Sequence, residues 1–469
     1  MGYLSQSIYD KFPNPIQNVL LSSYSFYINF ERYGKKFRKK YAEFEKNQWL
    51  DYEQLVEYQN RHLRDLIKHA YEDVPYYEAI MKKEKLKPVD IKKREDLIKL
   101  PILTRGDIKK NFKLLMAKNL GLVSKLRLVK GHTSGTTGSP LEFYWDTNTC
   151  VVNNVVDWRQ KSWAGINIHD KCAVVLGRTI VPINNKKTPF WRVNKIHNTL
   201  WLSAFHMKNE NLQLYIEKLK EYKPRYIEGY PSTLYILAKF LLSSNERFPL
   251  HAIFTSSETL HPLQREIIED AFRAKVFDFY GLAERVIFAS ECDAHEGHHL
   301  NMDYGITEIV NEDGLPLGTG KMGWIVATGL HNYAMPLIRY KVNDVTAIKE
   351  KKCTCSRKFP LIEDITTKAE DIITTKDGKF ISSSVLTHPF KPLVNIIESQ
   401  IIQEDLSNII IKIVKGLYYK DEDTNLLLYE MQKRIGQEMK IKLEFVDKIE
   451  RSANGKFRWV ISKVPIKIH

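Results

Sequence analysis

The residues best suited to chemistry begin at Gly131-His132-Thr133-Ser134-Gly135-Thr136-Thr137-Gly138-Ser139-Pro140. Gly135 and Gly138 let the backbone fold tightly with its N–H groups turned inward, and such concavities hold anions. Thr133, Ser134, Thr136 and Thr137 add hydroxyl donors suited to phosphate oxygens. The same residue types build ordinary hairpin turns, so composition alone leaves both readings open. No Gly-Lys-Ser/Thr follows at the required spacing, and no G-x-G-x-x-G occurs here, which excludes a Walker-type ATPase and the dinucleotide fingerprint. A second group is Cys292-Asp293-Ala294-His295-Glu296-Gly297-His298-His299 with Cys353-Thr354-Cys355 further on. A Cys-x-Cys pair with a remote Cys and His can complete a tetrahedral Zn²⁺ site, and buried unpaired thiols are the alternative.

The elements that must hold these residues read as a layered α/β domain followed by a smaller α+β unit. The glycine-rich stretch lies between apolar runs, Leu126, Leu128 and Val129 before it and Leu141 to Trp145 after it, so it reads as a loop between two strands. Strands are expected at Ala173–Leu176, Tyr226-Ile227, Ala252–Phe254 and Val276–Phe279. Helices are expected at Leu212–Tyr222, Thr233–Leu242 and, after Pro262, Gln264–Phe272. This alternation predicts a layered α/β architecture. After about residue 366 the pattern starts afresh, with strands at Ile409–Val414 and Ile441–Val446 around a helix at Asn425–Met439. The expected boundary therefore divides residues 1–366, whose first 120 form a helical entry region, from a mobile C-terminal domain at 367–469. Helical spacing also marks Asn14 to Phe30 and Leu55 to Tyr71. The first reads as docked on the protein's own core rather than on a membrane, because basic residues are not interleaved along it.

With 469 residues, 43% hydrophobic and 27% charged, the chain is long enough for two domains of ordinary soluble composition. The formal charge of +15 suits polyanionic ligands, a membrane surface or nucleic acid. The lysine clusters at 35–40 and 349–352 read as solvated faces, so no nucleic-acid partner is expected. No apolar run approaches the length of a bilayer span, which leaves peripheral membrane contact as the only membrane option considered. No secretory signal is evident, and five scattered cysteines argue against a disulfide framework. A cytoplasmic setting is expected.

Thr133-Ser134-Gly135-Thr136-Thr137-Gly138 resembles, residue for residue through its central run, the phosphate loop of the adenylate-forming (acyl-CoA ligase) superfamily. Leu141 stands where many members carry Lys after the Pro, a change frequent in the phenylacetate–CoA ligase-like branch. Phe279-Tyr280-Gly281-Leu282-Ala283-Glu284 resembles the family's Tyr-Gly-x-x-Glu motif. Pro336-Leu337-Ile338-Arg339-Tyr340-Lys341-Val342-Asn343-Asp344 resembles its Arg-Tyr-x-x-x-Asp segment. Thr367-Lys368-Ala369-Glu370-Asp371 is similar, with Lys368 in place of Arg, to the family's hinge. Arg451-Ser452-Ala453-Asn454-Gly455-Lys456-Phe457-Arg458 is similar to the loop presenting its catalytic lysine. The entry segments at 69–77 and 100–105 resemble those of phenylacetate–CoA ligase-like and capsule-cluster proteins.

The resemblance implies the adenylate-forming fold and assigns roles. Thr136 and its neighbours would clasp the ATP phosphates, Glu284 would help hold Mg²⁺, and Tyr280 with Gly281 would lie along the adenine. Asp344 and Lys368 would reach the ribose, Glu370 would be the pivot, and Lys456 would stabilise charge in the adenylation transition state. Gly229, Tyr230, Pro231, Ser256, Ser257 and Glu258 would line the acid pocket. The branch's Cys…Gly-x-His arrangement selects Cys292, His299, Cys353 and Cys355 for Zn²⁺, with His298 and His295 as substitutes. The implied activity is ATP-dependent activation of a carboxylic acid, with transfer to the thiol of CoA. The alternatives are transfer to an amine or hydroxyl of a surface polysaccharide precursor, and a non-catalytic binding protein of the same fold.

Overall fold

The structure, a computed structural model, describes residues 9, 11–121, 127–132, 141–182, 184–258, 260, 262–363, 365, 373–377, 380–381, 383–386, 388–390, 392–393, 395–449 and 460–464. Strands β1 (Val129–His132) and β2 (Glu142–Trp145) pair antiparallel with His132 opposite Glu142. They flank the glycine-rich stretch on both sides, while Thr133, Ser134, Gly135, Thr136, Thr137 and Gly138 themselves lie outside the described residues. A Cβ on Gly131 would come within 2.3 Å of Phe143 Cε2 and 2.6 Å of the Trp145 ring, so the two strands close on each other only because this position is glycine.

The large sheet is built from β3 (Cys172–Val175), β4 (Trp191–Asn194), β5 (Thr199–Leu202), β6 (Tyr226–Gly229), β7 (Ala252–Ser256), β8 (Val276–Gly281), β9 (Phe288–Glu291) and β10 (His298–Leu300). Next come β11 (Gly305–Val310), β12 (Gly323–Gly329) and β13 (Tyr340–Thr346), a separate three-stranded sheet, and then β14 (Leu361–Ile362), which closes the large one. The order is β14-β10-β9-β8-β7-β6-β3-β5-β4, in which β5, β3, β6, β7 and β8 run parallel to one another and β4 and β9 pair antiparallel at either end of that run. Strand alternation sends Ala173, Val175, Ile227 and Ile253 to the face covered by helices Asn209–Tyr222, Pro231–Ser243 and Pro262–Phe272. It sends Cys172, Val174, Tyr226 and Phe254 to the opposite face, against helices Lys35–Asn47 and Thr147–Trp163. Burial on both faces explains why these strands read as short, continuously apolar runs.

The C-terminal unit contains β15 (Ile373–Thr374) and β16 (Phe380–Ile381), then β17 (Ile396–Gln403), β18 (Asn408–Lys415), β19 (Lys440–Phe445) and β20 (Val460–Ser462) in the order β19-β18-β17-β20. The helix expected to reach Met439 runs instead from Asp421 to Ile435. Gly436 takes φ +90° and ends it, and Met439 is buried beyond the turn. Two short strands not expected from the sequence, β4 and β5, extend the sheet on one side.

The helix expected near residue 14 spans Asn14–Arg32 and does dock on its own protein. Two of its contacts with strand β4 are polar. Arg192 Nε donates to Gln17 Oε1 at 2.6 Å, and the Val193 N–H donates to Asn18 Oδ1 at 3.1 Å. Strand β4 is the sheet edge, and an edge offers unpaired backbone groups that only polar side chains can satisfy.

Between the helical layer and the sheet, Arg159 is fully buried and forks onto Asp303 at 2.6 and 2.8 Å, with Phe44 O accepting a further bond at 2.9 Å. Removing one member of such a pair strands a charge in a low-dielectric interior. Asp303→Ala is expected to lower unfolding free energy by about 3–5 kcal/mol in urea titration, well beyond an ordinary surface substitution.

Candidate active site

The C-terminal ends of β6, β7 and β8 open on one side of the sheet, the place where parallel α/β sheets bind ligands. Beyond β6, Tyr230 leads into the helix Pro231–Ser243. Beyond β7, Ser256 Oγ lies 3.3 Å from Ser257 Oγ, and Glu258 Oε2 accepts a bond from the Ser232 N–H at 3.0 Å. Ser257 has φ +70°, a left-handed backbone unusual for a residue with a side chain. The segment after β8 turns through Gly281 and Leu282 to Glu284, and Arg285 is left-handed in turn at φ +57°.

Two hydroxyl–carboxylate pairs join this turn to β13. Tyr280 donates to Asp344 Oδ2 at 2.7 Å, and Tyr340 donates to Glu284 Oε1 at 2.8 Å. Tyr280, Glu284 and Asp344, expected together from the sequence, are thus held as one group. Tyr340, which has no role in the sequence reading, is its fourth member. The pairing of β12 with β13 steps from Val326↔Lys341 to Trp324↔Val345, leaving extra residues in β13 where Asp344 stands. Such a bulge re-aims a side chain. Arg339 anchors the same strand from below, with Nη2 on Glu308 Oε1 at 3.0 Å and Nη1 on Leu100 O at 2.8 Å.

The entry region fixes β13 from its other side. Leu103 N–H donates to Arg339 O at 2.9 Å and Lys341 N–H to Leu103 O at 3.0 Å, so residue 103 pairs beside Tyr340. That register brings the Arg105 guanidinium near enough to act electrostatically on both Glu284 and Tyr340. Burial raises the Glu284 carboxyl above the usual range, and the Tyr340 hydrogen bond and the Arg105 charge only partly oppose it. Burial, and then the Asp344 and Glu284 charges, push the Tyr280 hydroxyl well up.

The hairpin that flanks residues 133–140 abuts this group. The Arg285 guanidinium lies 3.7 Å from the Trp145 ring centroid, and its Nη1 donates to Cys150 Sγ at 3.1 Å. Asp146 caps the helix Thr147–Trp163 through the Thr149 N–H at 2.7 Å. Thr136 with its neighbours, Lys368, Glu370 and Lys456 lie outside the described residues.

Away from this group, Cys292, His299, Cys353 and Cys355 place one ligand atom each within 4.8 Å of one another. Cys292 Sγ lies 3.6 Å from Cys353 Sγ, and Cys355 Sγ lies 3.3 Å from His299 Nε2. His299 Nδ1 is 3.1 Å from Phe359 O, a contact that puts the proton on Nδ1 and leaves Nε2 as the ligand atom. The two alternative histidines are engaged elsewhere, His298 with Asp278 at 3.0 Å and His295 toward Glu291 at 3.7 Å. Burial acts to raise the Cys355 thiol, but hydrogen bonds from His299 and Arg357 outweigh it and hold the group at about 6.

Comparison with known proteins matches residues 373–463 to the CapK C-terminal domain. Protein CapK of Staphylococcus aureus is 30% identical over 97% of this chain and 99% of its own length. The chain belongs to the CapK family. Phenylacetate-coenzyme A ligase of Thermus thermophilus is 25% identical over 68% of this chain and 72% of its own, and that of Escherichia coli is 26% identical over 63% and 68%. The CapK family member described here is accordingly an adenylate-forming protein of the phenylacetate–CoA ligase-like branch. Its fold is similar to that of a 2-hydroxyisobutyryl-CoA ligase solved in its post-adenylation state, with a TM-score of 0.57 at 18% identity over 88% of this chain and 91% of that one.

Because Glu284 has a folded-state pKa above its unfolded value, folding takes up a proton there. Its contribution falls as pH rises from the unfolded through the folded value. Glu284→Gln, which still accepts from Tyr340, is expected to raise Tm relative to the unaltered chain at about pH 8 and to leave it nearly equal at about pH 4.

Proposed function

We propose that this chain activates a carboxylic acid with Mg·ATP and passes the acyl group to the thiol of CoA. The observation that carries this reading is the joining of Tyr280–Asp344 and Tyr340–Glu284 at the ends of β8 and β13, beside the hairpin that flanks the Thr/Ser/Gly stretch. Asp344, an acceptor-only side chain, suits the ribose hydroxyls, and the Tyr280 ring suits the adenine face. Glu284, with carboxylate oxygens of the hard type that Mg²⁺ prefers, would help hold the metal, which neutralises phosphate charge. A substrate carboxylate oxygen attacks the α-phosphorus, the bond to the β-phosphate bridging oxygen breaks, and pyrophosphate leaves. Lys456 and the hydroxyls of Thr133, Ser134, Thr136 and Thr137 counter the charge that builds up in that step. The small domain then turns about Glu370, with the boundary near residue 366. The CoA thiol, losing its proton, attacks the acyl carbon and expels AMP. Tyr230, Ser256, Ser257 and Glu258 line the side from which the acid approaches. Lys368 supplies a single ribose contact.

A second acceptor, an amine or hydroxyl of a surface polysaccharide precursor, is the alternative to CoA. Likeness to Protein CapK runs through almost the whole chain, whereas the two phenylacetate-coenzyme A ligases cover at most 68% of it. A panel of acids assayed for AMP release with and without CoA separates the two acceptors. Acid-dependent pyrophosphate exchange is expected in either case, with Lys456→Ala lowering it by about 10²–10³-fold. No exchange with any acid would leave the non-catalytic alternative standing.

The thiol–imidazole cluster fits a structural Zn²⁺. Tetrahedral thiolate ligands about 2.3 Å from zinc stand about 3.8 Å apart, close to the Cys292–Cys353 separation. Protein purified without chelator is expected to contain one zinc per chain by elemental analysis. Cys353→Ser/Cys355→Ser should lose the metal and several degrees of Tm; metal-free protein whose Cys353 and Cys355 alkylate freely ends the idea.

A further inference from the structure

The first turns of helix Asn14–Arg32 direct two polar side chains inward. Gln17, 1% exposed, and Asn18 bind Arg192 and the Val193 backbone of the edge strand. Facing solvent are Ile16 at 43% and Val19 at 63% exposure, with Phe12 at 39% just ahead of the helix. Ile16 and Val19, three positions apart, share a face of the helix and make a short apolar row, with Phe12 exposed in the segment before it. A helix serving only to cover a core would turn this row the other way.

Basic side chains stand near both ends of the helix. Lys11 is beside Phe12, while Lys35, Lys36, Arg38 and Lys39 are exposed on the next helix, Lys35–Asn47. Lys195 adjoins the exposed Ile196 at the β4–β5 turn, and the neighbouring His197 ring lies 5.7 Å from Tyr33, one residue past the helix. Among the described residues, none of these six cations is paired with a carboxylate. Arg32 is the one basic residue in the helix sequence, and neighbouring elements supply the other cations.

We propose that this face docks on an anionic lipid surface. The aliphatic row suits the headgroup–acyl boundary and the flanking ammonium and guanidinium groups suit lipid phosphates. A soluble polyanion would have no use for the apolar row, and a second copy would bring two uncompensated cationic rims together. No helix among the described residues is long and apolar enough to cross a membrane, so contact is from one side and reversible. Few apolar groups are involved, so attachment needs both the apolar and the charge contribution and weakens with salt.

The test is flotation of the full chain with neutral phosphatidylcholine vesicles and with vesicles containing about 30% phosphatidylglycerol. At low salt, at least about tenfold more protein should float with the anionic vesicles, and raising the salt to about 0.5 M should reverse it. Ile16→Glu/Val19→Glu, at two exposed positions, should keep the circular dichroism spectrum and lose the flotation. Leu417→Glu, an exposed apolar position on the C-terminal unit, should float unchanged. Equal flotation of the double variant, or flotation indifferent to anionic lipid, overturns the proposal. So does a change of oligomeric state in the double variant on size exclusion, which would assign the row to self-association.

Discussion

One buried carboxylate sets the terms for the rest of the site. Glu284 is nearly removed from water, and a tyrosine hydroxyl supplies a hydrogen bond in its place. A carboxylate in that position disfavours its own ionisation. It is kept there by a strand that cannot shift: β13 is pinned by Arg339 on Glu308, by Leu103 alongside, and by Tyr77, which donates to Pro336 O and accepts from the Ile338 N–H. The helical entry region is therefore part of the site, although it contributes only Arg105 near the carboxylate.

The parallel strands and their covering helices were legible because burial on both faces leaves short β-branched runs between amphipathic helices. Tyr280, Glu284 and Asp344 stand out in the sequence as motif residues; in the structure Tyr280 bonds Asp344, and Glu284 bonds Tyr340. Tyr340 escaped although it lies inside a quoted segment, because its direction depends on a register shift with β12 that no local pattern encodes. Arg105 escaped for a similar reason: its neighbourhood arises from pairing between residues 103 and 340. The overlong helix at 425–439 shows the opposite failure, since apolar spacing continues past Gly436 while the backbone does not.

The cysteine–histidine group does different work. Cys292 and His299 belong to the β9–β10 corner, whereas Cys353 and Cys355 lie in the connection between β13 and β14. Bringing these together ties the three-stranded sheet to the edge of the large one. Phe359 and Trp163 pack around the same point, so chain segments distant in sequence converge on it.

At the other edge, Asn18 occupies a backbone donor of β4 that would otherwise face outward. The amino-terminal helix is in this respect a stopper. A fragment beginning after it would present a free strand margin, open to lateral growth by strands of other molecules. A helix that supplies none of the reacting groups thereby helps decide whether the large sheet remains solitary in a concentrated solution.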